Sequence, residues 1–74
     1  MSMPLNFIEM GRFAKINSVH GGENMCKKIM EMGMSTGAII KIMKNDSGPL
    51  IVKVGETRLV LGRSMAQKIM ASEV

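Results

Sequence analysis

Tryptophan and tyrosine are absent from this chain of 74 residues, and its only aromatics are Phe7 and Phe13. Proteins that hold single-stranded nucleic acid without sequence preference stack successive bases on aromatic side chains. Two phenylalanines near the N-terminus, where the chain reads as an end plug of a small core, are poorly placed for that. Cysteine is nearly absent too. One thiol, Cys26, cannot close an internal disulfide and suits a reducing compartment better than an oxidising one. No apolar run exceeds three residues, so no segment reads as a membrane-spanning helix. Met1-Ser2-Met3-Pro4 offers neither the charged nor the apolar region of a secretion signal. The expected location is the cytoplasm.

What is present fits one small domain over residues 1–74. A domain of this size buries only about 60% of the surface its unfolded chain exposes, so its stability is slender. The apolar fraction, 46%, is that of a folded chain. Ten lysines and arginines against six acids leave a charge of +4, a mild bias towards acidic or phosphate-bearing partners that solubility alone would also favour. Ten methionines replace much of the usual leucine and isoleucine. Methionine fills irregular gaps in cores and also lines adaptable binding surfaces. Most of these methionines stand where an aliphatic core residue would serve.

The organising stretch runs from Asn24 to Lys44. Met25, Ile29 and Met32 fall on one face of a helix, and Gly33 stands where a left-handed stop needs no Cβ. Ser35-Thr36-Gly37 supplies a turn, and Ala38 to Met43 reads as a strand. Upstream, Pro4 to Gly11 reads as one helical turn, capped by Asn6 with Glu9 in a capping box, and Leu5, Ile8 and Met10 turned inward. Arg12 to Val19 reads as the first strand, with Ala14 and Ile16 on one side. Downstream, Lys44 to Pro49 is dense in turn formers. Leu50, Val52 and Val54 then alternate as in a half-buried strand. Gly55-Glu56 has the glycine-first order of a type II′ hairpin, leading into Thr57 to Leu61 with Leu59 and Leu61 sharing a face. Gly62 to Ile69 reads as a short helical turn and Met70 to Val74 as a closing strand. The expected fold is all-β with short helical inserts, a small, partly open five-strand barrel.

Little here can build a catalytic centre, and the chain reads as a non-enzyme. His20, Glu23 and Cys26 lie three apart, so a metal site across the glycine corner can be drawn. Three ligands from a loop and a helix start suit only an open site. The plainer reading is a surface histidine and a half-buried thiol, with neither metal nor cofactor. Cys26 and His20 lack a third orienting group for nucleophilic chemistry. Gly21-Gly22 is not followed by the Gly-Lys-Ser/Thr of a phosphate loop. Lys41, Lys53 and Arg58 would face outward from three neighbouring strands. That stripe would serve nucleic-acid binding, or simply be a solvated face; with so few aromatics, no nucleic acid is expected.

Leu5-x-x-Ile8-x-x-Gly11, then Ile16, then Ile29-x-x-Met32-Gly33-Met34-x-x-Gly37 resemble the signature of ferrous-iron transport protein A, the FeoA family. So do Gly48-Pro49-Leu50-x-Val52-x-Val54, Leu59-x-Leu61 and Ala66-x-x-Ile69. The resemblance covers nearly the whole chain. It implies an SH3-like barrel, as also found at the C-terminus of DtxR-type repressors. It further implies a cytoplasmic accessory protein of bacterial ferrous-iron uptake, and so of iron homeostasis. Such a protein works by protein–protein interaction with FeoB, a membrane transporter that carries a GTP-binding domain. Docking onto a different partner is the alternative within the same resemblance. The family has proline before the glycine of the turn where this chain has Thr36, which implies a looser turn.

The helix itself suggests where a partner would sit. Cys26 and Met30 lie beside the core stripe and widen the apolar arc to roughly half the circumference. Either the terminal turns at Phe7 and Met65 cover both residues, or Met30 with Cys26 remains exposed, rimmed by Glu23 and His20. In the second case these four residues form a partner-binding patch.

Overall fold

Side chains alternate along the strands so that Ala14, Ile16, Ile40, Ile42, Leu50, Val52, Leu61, Ile69 and Ala71 all turn to one side and are buried. The computed structural model describes residues 1–74. Its strands are β1 (Met3–Pro4), β2 (Phe13–Val19), β3 (Ile39–Lys44), β4 (Leu50–Val54), β5 (Thr57–Leu61) and β6 (Ile69–Glu73). Helix α1 (Glu23–Glu31) joins β2 to β3, and α2 (Arg63–Ala66) joins β5 to β6. Every neighbouring pair is antiparallel, in the order β1-β6-β2-β3-β4-β5. The sheet curls around its core, with register shifts at Ile16/Ser18 and Ile42/Lys44 that bend β2 and β3. Its outer strands, β1 and β5, do not pair with one another, so the SH3-like barrel stays open.

There are six strands rather than five. The extra one is two residues long and contains a proline, which cannot donate to a ladder, so no alternation announces it. The expected N-terminal cap by Asn6 is not formed. Leu5–Phe7 is a single 3-10 turn entered through Pro4, with no side-chain cap. Met10, expected inward, is exposed, while Leu5 and Ile8 do plug the core. Phe7 and Phe13 are both exposed, so neither belongs to that plug. Ile69, expected on the last helical turn, opens β6. The His20 amide donates to the Lys68 carbonyl at 2.6 Å, drawing this segment into register with β2, where Val19 pairs Ile69.

The β4–β5 hairpin forms as expected. Val54 pairs Thr57 across Gly55-Glu56, and Gly55 has φ +60° while Glu56 has negative φ, as the first and second positions of a type II′ turn require. The Ser35–Ala38 turn also closes, although proline is missing. The Ala38 amide donates to the Ser35 carbonyl at 3.0 Å, and Gly37 at φ +93° takes the third position of a type II turn. The Gly37 amide is then anchored on the Ile16 carbonyl at 2.7 Å.

One end of the barrel is held by a polar staple. Asn45 Nδ2 donates to the carbonyls of Asn6 and Ile8, at 2.9 and 2.8 Å. Arg63 donates to the carbonyls of Asp46 and Gly48, at 2.6 and 2.9 Å, and to Asn45 Oδ1 at 3.2 Å. The 3-10 turn, the β3–β4 loop and α2 are thereby tied together.

Candidate functional site

Helix α1 ends in a Schellman motif, and that ending decides which of its faces is buried. The Met34 amide donates to Ile29 at 3.2 Å and the Gly33 amide to Met30 at 3.0 Å, with Gly33 at φ +89°. The accompanying apolar contact is between Ile29 and Met34, both fully buried. Met25 and Met32 pack partly against the same core, so the stripe read at i, i+4 and i+7 is the inner face.

That rotation leaves Met30 on the outside, 59% exposed. Phe7, expected as one possible cover, is itself 67% exposed, and Met65 packs on the core instead. Glu23, Cys26, Lys27, Met30 and Glu31 line one open face of the helix. Beside it runs a shallow groove of about 240 Å³, framed by Ser18, Val19, Cys26, Met30, Met34 and Thr36. The groove has more shape than the helix face, because β2 and the turn before β3 supply its second wall. Cys26 is a free, half-buried thiol, its Sγ 3.8 Å from the Val19 carbonyl oxygen and 3.7 Å from that of Gly21.

Of the four residues expected at the patch, Glu23, Cys26 and Met30 share one face. His20 is exposed, and its Nε2 lies 3.2 Å from Oγ of Ser18, which frames the groove beside that face. No three His, Cys, Asp or Glu side chains are grouped so as to hold a metal ion, so His20, Glu23 and Cys26 do not converge. The second wall of the groove, Ser18, Val19, Met34 and Thr36, escaped the sequence reading. Thr36 was visible only as part of a turn that departs from the family pattern, and Met34 only as part of the Ile29-to-Gly37 motif.

The order of elements and the glycine-stopped helix find their counterpart in known proteins. A sequence model of the FeoA domain matches residues 3–73. The chain belongs to the FeoA family. It is 27% identical over 70 residues to a protein of Methanocaldococcus jannaschii named for Fe(2+) transport, across 95% of this chain and 85% of that one. Its fold is similar to the crystal structure of an iron uptake regulatory protein, FeoA, with a TM-score of 0.90 and 30% identity over 100% of this chain and 99% of that one. A likeness of fold alone extends to T. acidophilum IdeR, with a TM-score of 0.88 and 16% identity over 99% of this chain and 34% of that one. FeoA proteins are associated with ferrous-iron transport, and this one has no helix long and apolar enough to cross a membrane.

Proposed function

We propose that this FeoA protein is a cytoplasmic accessory factor of ferrous-iron uptake that docks through α1 onto the cytoplasmic part of an FeoB-type transporter. The observation that carries this reading is Met30, a flexible apolar side chain held out of the core beside the groove. Such a side chain adapts to a partner's surface, and the charges of Glu23, Lys27 and Glu31 give it a polar rim. Any GTP hydrolysis belongs to the transporter. Iron is cargo of the system, and this chain acts by contact rather than by holding the ion.

Met30→Glu tests the reading against the purified cytoplasmic part of the transporter. The variant should melt like the wild type and lose association. Unchanged association would move the docking surface elsewhere; unfolding would put Met30 in the core. A separate titration addresses metal. Ferrous iron or zinc at stoichiometric amounts should leave the melting temperature almost unchanged. A shift of more than a few degrees, lost in His20→Ala or Cys26→Ser, would overturn the ligand-free reading.

A further inference from the structure

Four cations stand on the outward face of β2–β5 with no acidic partner. Phe13 pairs Lys41, Lys41 pairs Lys53, and Lys53 pairs Arg58, so one unbroken row crosses four strands. Lys15 lies on the next row, opposite Ser72 and Ile39. The ion pairs of the protein are Arg12 with Glu73 at 3.9 Å and Lys44 with Asp46 at 3.8 Å, and neither involves this set. Neighbouring strands lie about 4.8 Å apart, and like charges directly opposite one another oppose folding. Three consecutive cations in one row are therefore unfavourable until an anion neutralises them.

Apolar side chains are interleaved with these charges. Ile39, 51% exposed, flanks the row on one side, Val60, 69% exposed, flanks it on the other, and Phe13 is exposed at the row's β2 end. Phe13, Ile39, Lys41, Lys53 and Gly55 frame a shallow depression of about 360 Å³, with room for a phosphate group beside the two ammonium groups.

We propose that this face is a membrane-association surface that lies against an anionic phospholipid bilayer. The cations meet lipid phosphates while Ile39, Val60 and the Phe13 ring enter the headgroup layer, the combination that gives interfacial binding its strength. A nucleic acid is disfavoured because Phe13 is the face's only ring and Lys41 Nζ already lies 5.6 Å from its centroid. An acidic peptide would neutralise the row and leave the apolar side chains in water. The row of cations lies on the solvent-facing side of the sheet, and the depression between Phe13, Ile39, Lys41 and Lys53 is open to a headgroup. The proposal stands independently of the α1 docking face, because α1 lies on the core side of the sheet, where a Cβ at Gly33 would lie 3.2 Å from Val54 Cγ1.

The test is co-sedimentation of the full chain with vesicles of phosphatidylcholine alone or mixed in equal parts with phosphatidylglycerol. Binding should occur only to the mixed vesicles and fall as salt is raised. Lys41→Gln should lower the partition coefficient about fivefold, and the pair Lys41→Gln with Lys53→Gln about 25-fold. The pair Lys28→Gln with Lys68→Gln removes the same charge from other exposed positions and should leave it essentially unchanged. Ile39→Ser with Val60→Ser should weaken binding with all charges retained. Melts of each variant confirm the fold, and Arg58→Gln replaces any lysine variant that fails to fold. No binding to anionic vesicles at low salt, or equal loss in the control pair, overturns the proposal. So does tighter binding to polyglutamate, oligodeoxythymidylate or inorganic phosphate than to vesicles, with Ile39→Ser and Val60→Ser neutral.

Discussion

Ile42 is fully buried in the middle of β3, and its fate shows how little margin a 74-residue domain has. Domains of this length hold roughly 4–11 kcal/mol of stability. Ile42→Ala should cost about 2–5 kcal/mol, because the transfer term is joined by a cavity that neighbouring strands cannot close. Leu59 shares the inward face but is only half-buried, so Leu59→Ala should cost less. Urea midpoints would rank the two, and a reversed order would show the faces of β3 and β5 misassigned. Arg63 acts through polar contacts instead. Arg63→Ala leaves the Asp46 and Gly48 carbonyls without their donor and frees Asn45 Oδ1, a loss of about 1–3 kcal/mol. With Asn45→Ala the effect should be strongly non-additive, since both residues serve one network.

The turns that bracket α1 matter at the scale of elements. Gly33 is left-handed, and an added Cβ would stand 3.2 Å from Val54 Cγ1. Gly33→Ala should therefore lose roughly 1–2 kcal/mol from backbone strain, with a further penalty from the contact. The opposite change is available one turn later. Thr36 occupies the second position of a type II turn, where proline's fixed φ is suited, and its amide makes no backbone hydrogen bond. Thr36→Pro should stabilise by about 0.4–1 kcal/mol through the unfolded chain, a rise of a few degrees in thermal midpoint. A lower midpoint would mean that Ser35 cannot adopt the extended conformation a following proline demands.

The whole molecule presents two unlike surfaces. The helix side offers Met30 and a groove, and the outward sheet face offers cations among exposed aliphatics. Because the sheet separates them, changes on one should leave the other intact. Met30→Glu should keep vesicle binding, and Lys41→Gln with Lys53→Gln should keep association with the transporter's cytoplasmic part. Both measured on the same preparations would show whether the faces are independent; simultaneous loss in either variant would mean that one surface serves both purposes.

The strands, the α1 stop and the β4–β5 hairpin were legible in the residues because each answers a local demand. Period-two alternation, a left-handed glycine and a two-residue loop are properties of a few consecutive positions. The outward stripe of Lys41, Lys53 and Arg58 was legible for the same reason, since alternation fixes which side each strand shows. Phe13 joins that row only through the β2–β3 register, which no local pattern specifies. The two-residue β1, the start of β6 at Ile69 and the Arg63–Asn45 staple depend on contacts between residues far apart in the chain. Tertiary packing, together with the helix stop, decided that Met30 stays uncovered. The arc of α1 was wide enough to be buried, but the terminal turns pack on the barrel core instead, and the Schellman pairing of Ile29 with Met34 fixes the helix's rotation with Met30 outward.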